Sequence, residues 1–199
     1  MNKAYLLVIC LLAASFTGCL DRLSGEDDDN SQINFQPETR VELKTAVDEW
    51  IEDSDSASST YGDISDWDVS NVTNMDTMFN SAESFNGDIS DWNVSSVTSM
   101  YSMFYQASSF NQDISDWDVS NVRDMGGIFS GATSFNQDIS GWDVSSVTNM
   151  YGMFRSAQSF NQDISEWDVS SVTDMEDMFY NTDDLSDENK CYIHTEFSS

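Results

Sequence analysis

The chain has 199 residues, 36 of them Asp or Glu and only 7 Lys or Arg, for a formal net charge of −29. Nucleic acid and other polyanions are excluded as simple ligands, because phosphate binding draws on Lys and Arg. Cations, carbohydrates and proteins with basic faces stay open, and a charge of this size keeps copies apart, so a monomer is expected.

Taken in chain order, residues 1–18 read as an export signal. Lys3 supplies the positive end, Tyr5 to Ala14 the apolar run, and Ser15 to Gly18 the small-residue region before Cys19. The run is shorter than the roughly 20 apolar residues a membrane span needs. Phe16-Thr17-Gly18-Cys19 resembles the bacterial lipobox, which implies lipidation at Cys19. The chain would then reach the bacterial cell surface or outer membrane and touch membrane only through that anchor. Residues 19–36 are expected to be the lipidated N-terminus and a flexible acidic tether, since Asp21 to Asn30 has too little apolar surface to order itself. Cys10 leaves with the signal and Cys19 is acylated, which leaves Cys191 as a single thiol, open between an intermolecular pair, an inert group and a partner beyond Ser199.

Residues 37–60 are read as an N-terminal capping helix and linker. Thr39 and Glu42 have capping-box spacing, and Leu43, Ala46, Val47, Trp50 and Ile51 form one apolar stripe. Trp50 and Ile51 are expected to cover the first repeat, with Glu42, Lys44, Asp48 and Glu49 facing water.

Residues 61–186 repeat one pattern five times at a constant 25-residue step: Ile-Ser-x-Trp-x-Val-Ser-x-Val-x-x-Met-x-x-(Met/Ile)-Phe-x-x-(Ala/Thr). Ile64, Trp67, Met75 and Phe79 recur as Ile89, Trp92, Met100 and Phe104, and so on to Ile164, Trp167, Met175 and Phe179. A second aromatic, Phe85 to Phe160, precedes an asparagine in four units and decays to Leu185-Ser186 in the fifth, as a terminal copy would. One unit cannot offset its own ordering entropy, so stability must come from stacking on neighbours. The expected fold is an α/β repeat solenoid, a right-handed, leucine-rich-repeat-like stack of five 25-residue coils, each a short strand plus a short helical turn. Val72 to Met75 supplies the strand, and Met75, Met78, Phe79 and Ala82 have helical spacing. Repeated serines and the Asn86 to Asn161 set are expected to form internal hydrogen-bond ladders. Residues 187–199 read as a C-terminal cap or a truncated tail.

The units from Trp67-Asp68-Val69-Ser70-Asn71-Val72-Thr73-Asn74-Met75 through Met78-Phe79 and Phe85-Asn86 resemble the 25/26-residue repeat of bacterial surface lipoproteins in the BspA-like leucine-rich-repeat group, over Tyr61 to Ser186. The resemblance implies a solenoid outside the cell, with adhesion to host or matrix proteins proposed for some members, and it names no ligand.

No nucleophile-base set can be picked out, since the one histidine, His194, lies in the irregular tail; no catalytic residue, cofactor or metal ligand is assigned and the chain is not expected to be an enzyme. Calcium on the Asp63 to Asp163 register is weighed and set below a solvated acidic edge with turn-capping aspartates. Positions beside the buried Val and Met vary among copies, so the expected partner-binding face comprises Asn74, Ser99, Arg123, Asp124, Asn149 and Asp174. The function expected is adhesion, or recognition of a protein or carbohydrate at the cell surface, through the strand face. The alternative is a structural surface-coat or spacer protein, with calcium as a stabiliser.

Overall fold

The structure, a computed structural model, describes residues 33–190. The predicted signal, Cys19, most of the predicted tether and Cys191 lie outside the described residues. The first element, α1 (Arg40–Glu52), starts where the capping box predicts: the Thr39 hydroxyl accepts from the Glu42 N–H, and the Glu42 carboxylate accepts from the Thr39 and Glu38 N–H groups. Leu43, Ala46 and Val47 are fully buried, and Trp50 sets its ring edge-on to Trp67 at 5.8 Å. Ile51 covers that unit only in part: it is 42% exposed, yet with Trp50 it lines a cleft against Ser84, Phe85, Asn86 and Gly87. A second helix, α2 (Ser54–Tyr61), fills the predicted linker, with Asp53 accepting from the Ser56 N–H at its start. Phe35, inside the predicted tether, also packs on the first unit. Its ring lies 5.1 Å from that of Trp67, and its carbonyl accepts from the Asp68 N–H.

From Ile64 onward, backbone and side chains bond across the 25-residue step. Each unit contributes one bridging residue, and the parallel bridges run Asn74 to Ser99, Asp124, Asn149 and Asp174. The predicted strand is thus reduced to one residue among the described ones, since the chain turns away immediately after it. The predicted helical turn is replaced by overlapping turns. The N–H groups of Met75, Thr77, Phe79 and Ser81 donate at 2.7–2.9 Å to Ser99, Tyr101, Met103 and Tyr105 of the next unit. Those of Met78, Asn80 and Ala82 close back three residues, at 3.1–3.2 Å. Half the donors therefore hold the neighbour, which a helix would forbid by spending every N–H on its own fourth-preceding carbonyl. The alternation forces positive φ twice per unit, at Thr77 (56°) and Ser81 (59°) and at their copies down to Asp177 and Asn181.

The core is a set of columns. Phe79, Phe104, Phe129, Phe154 and Phe179 stack at 5.3–5.8 Å between centroids with nearly parallel planes, and Phe85, Phe110, Phe135 and Phe160 form a second stack beside them. Each buried indole also finds an acceptor. The Trp92, Trp117, Trp142 and Trp167 Nε1–H groups donate to the Ile carbonyl of the preceding unit at 2.8–3.2 Å, so the tryptophan column carries no unsatisfied donor. The expected asparagine ladder is present: the side-chain oxygens of Asn86, Asn111, Asn136 and Asn161 accept from the backbone N–H one unit on, at 2.8–2.9 Å.

Candidate functional site

The repeated polar groups divide into those already bonded within the protein and those that are not. Along one edge, Asp63, Asp88, Asp113, Asp138 and Asp163 each accept from the N–H two residues on, at Ser65 and its copies. The hydroxyls of Ser65, Ser90 and Ser140 donate to the same carboxylates. These serines therefore bond within their own turn and not between units as the ladder expectation had it, because aspartate two residues back is the nearer acceptor. The same device recurs at Asp118 and Asp143, and at Asn93, where a neutral amide does the work of the carboxylate. The Ser90, Ser140, Ser145 and Ser170 hydroxyls, then their N–H groups, hold the Asp88, Asp138, Asp143 and Asp168 carboxyls below the usual aspartate range. Among the described residues no three acidic, histidine or cysteine groups converge as a metal site would require.

Five of the six predicted partner-binding residues lie on the bridge row, with Arg123 just before it, and most are engaged. Asn74 donates to the Asp76 carboxylate and accepts from the Asp76 N–H. Ser99 donates to Asp76, which also accepts from the Tyr101 N–H. Asp124 accepts from the Gly126 N–H and from the Asn149 amide, both at 2.9 Å. Asn149 and Asp174 close turns onto the Tyr151 and Glu176 N–H groups. Asn74, Ser99, Asp124 and Asn149 are only partly accessible, while Arg123 is exposed and no described ion pair joins it to Asp124. The row is an internal ladder of turn closures.

Two residues further along each unit the chemistry changes. The register holding Asp76 and Glu176 in the outer units holds Tyr101, Gly126 and Tyr151 in the middle ones, and the next register reads Ser102, Gly127, Gly152. With Tyr105, Ser130 and Arg155, the residues Tyr101, Ser102, Gly127, Tyr151 and Gly152 line an open cleft of about 300 Å³. Glycine shapes it. Gly126 precedes the lining residue Gly127; a Cβ at Gly126 would stand 2.7 Å from the Asn149 amide nitrogen and 3.2 Å from the Tyr101 ring, so that ring lies against bare backbone. Gly127 and Gly152 take positive φ, 63° and 57°, at the register where the outer units place Thr77 and Asp177. Arg155 forms an ion pair with Asp177 and lies 4.6 Å over the Tyr180 ring. Tyr101, Tyr151 and Tyr180 are 46%, 41% and 51% exposed, a large aromatic area for a surface otherwise made of acids and small polar groups.

The sequence reading missed this cleft because it looked two residues too early in each unit. The available signal was the pair of positions between Met75 and Met78 and their copies, with Ile128 replacing the second methionine in the third unit; these read Asp-Thr, Tyr-Ser, Gly-Gly, Tyr-Gly and Glu-Asp in succession.

Among the described residues no helix is long and apolar enough to cross a membrane. No curated protein and no solved structure matches the chain. A family described as "Mycoplasma protein of unknown function, DUF285" matches twice, over residues 51–141 and 112–196, so that the two matches together span the repeat array and overlap at 112–141. The chain belongs to this repeat-containing family, DUF285.

Proposed function

We propose that the chain is a non-enzymatic recognition protein, carried on the bacterial cell surface by a lipid at Cys19, whose repeats form a leucine-rich-repeat-like, right-handed solenoid of the BspA-like kind. Its task is adhesion to a protein or carbohydrate partner. The observation that carries this reading is the contrast between an invariant core and a turn face whose residues change from Asp to Tyr to Gly along the stack, because a fixed frame with a variable, aromatic-bearing face is how repeat arrays present binding surfaces. The export signal and the lipobox-like Phe-Thr-Gly-Cys support the location.

The test is binding of the full chain to immobilised matrix proteins and glycoproteins by surface plasmon resonance at physiological salt. Saturable binding to at least one of them is expected, and uniform, non-saturable retention would defeat the proposal. The exposed aspartate turns favour a second reading, a hydrated surface coat or spacer, which that negative outcome would select.

A further inference from the structure

Five hydroxyl groups in the cleft, those of Tyr101, Ser102, Tyr105, Ser130 and Tyr151, make no hydrogen bond among the described residues, whereas the serines, threonines and asparagines around them are largely committed to turns and ladders. Unspent hydroxyls that can both donate and accept, set beside tyrosine rings over a glycine floor, are suited to a ligand with polar edges and an apolar face. The lining contains no carboxylate, although the chain carries 36 Asp and Glu. A basic peptide would find no counter-charge there. An anionic ligand would meet the repulsion of a chain at −29, and the one cation available, Arg155, already faces Asp177. Arg155 keeps further guanidinium donors beyond the one given to Asp177, and these can orient neutral oxygen acceptors. A volume of about 300 Å³ is at the small end for ligand sites and takes about one or two sugar rings.

From this chemistry we infer that the Tyr101, Tyr105, Tyr151 and Arg155 cleft binds a neutral glycan, with pyranose C–H faces against tyrosine rings and sugar hydroxyls bonded to Ser102, Ser130 and Arg155. The inference rests on the surface-recognition reading and gives it a site and a ligand class.

The experiment is a titration of the full chain with neutral trisaccharides (a β-1,4-glucan, an α-mannan and an N-acetylglucosamine oligomer) and with a hexa-arginine peptide, followed by saturation-transfer NMR and calorimetry. At least one trisaccharide is expected to bind with a Kd in the micromolar to millimolar range. Tyr101→Ala with Tyr151→Ala is expected to weaken it tenfold or more, Tyr101→Phe with Tyr151→Phe to retain most of it, and Asp116→Ala, away from the cleft, to leave it unchanged. Circular dichroism and thermal unfolding of each variant separate loss of the site from loss of the fold. The inference is overturned if no trisaccharide binds, if binding ignores the alanine pair, or if only the arginine peptide responds. Matrix or glycoprotein binding that survives the alanine pair would sink the cleft while leaving surface recognition intact, and its absence from the wild-type chain would sink both.

Discussion

The fourth and fifth units carry the same core side chains but bury them differently. Val144, Val147, Met150 and Phe154 are at most 1% exposed, whereas Val169, Val172, Met175 and Phe179 are only partly buried. Yet Ile164 and Trp167 in the fifth unit are as buried as their copies. Each unit thus has a backward-leaning half and a forward-leaning half. The Trp indole reaches back to the preceding Ile carbonyl, and the turns from Met to Ala reach forward to the next unit's carbonyls. The fifth unit satisfies the first half and leaves Met175 and Phe179 of the second only partly buried, while Met178 and Thr182 stay buried. The forward half is therefore stabilised by a neighbour, in keeping with stability as a sum of interface terms.

The largest effect should separate two equivalent phenylalanines. Phe129→Ala removes a ring stacked on Phe104, Phe154 and Phe135, and should cost about 3–5 kcal/mol. Phe179→Ala removes one stacked on Phe154 alone among the described aromatics, and should cost about 1–2 kcal/mol. Urea unfolding of both variants measures the gap. Equal costs would mean that the forward half does not depend on a following unit.

Next in size is the indole bond. Trp117→Phe deletes the donor to the buried Ile89 carbonyl, and Trp67→Phe deletes a longer, partly buried bond of 3.3 Å to the Gly62 carbonyl. The first should lose about 1–2 kcal/mol more than the second, read as a further drop of several degrees in thermal midpoint, at about 2–4 °C per kcal/mol for a chain of this size.

How far these features could be read beforehand follows from what each one depends on. The capping box, the stacked aromatics and the asparagine ladder were legible because each depends on residue identity at a fixed spacing. The helical turn was misread from Met75, Met78, Phe79 and Ala82. A run of three-residue turn closures places buried side chains at the same intervals as a helix, and only the destination of the Thr77 and Ser81 N–H groups distinguishes them. That destination is a neighbouring unit, so local sequence does not encode it. The bridge row was located, but its side chains were assigned outward when backbone donors two residues on capture them. The cleft arises from two glycines, Gly127 and Gly152, beside three tyrosines, Tyr101, Tyr105 and Tyr151, from different units, a juxtaposition that exists only once the stack forms.

Positive φ offers a smaller test. Gly131 sits at φ 74°, with a Cβ there only 3.2 Å from the Gln106 side chain, while Gln106 itself holds φ 56° in the preceding unit. Gly131→Ala should therefore destabilise by about 1–2 kcal/mol. Gln106→Gly should be neutral or stabilise by up to about 1 kcal/mol. A thermal scan in which both variants lose stability equally would show that side-chain contacts, not backbone strain, govern this register.

The smallest effect concerns the acidic edge, where the Asp143 turn differs from the Asn93 turn only in charge. The Ser145 hydroxyl and N–H lower the Asp143 carboxyl, and the Asp168 charge one unit away opposes them. A carboxyl depressed in the folded state contributes stability that is complete above its unfolded value, near pH 4, and is lost as the pH falls through that value and then through the folded one. The wild-type midpoint should accordingly fall below about pH 4 and stay flat above about pH 5 as far as these aspartates are concerned. Asp143→Asn keeps the acceptor, as Asn93 does with Ser95 at 2.7 Å, and removes the repulsion from Asp168. It should match the wild type at pH 7 and lose less on acidification, whereas Asp143→Ala should be weaker at both. If the asparagine variant were as weak as the alanine one at pH 7, the negative charge itself, and not the turn it closes, would be what the edge requires.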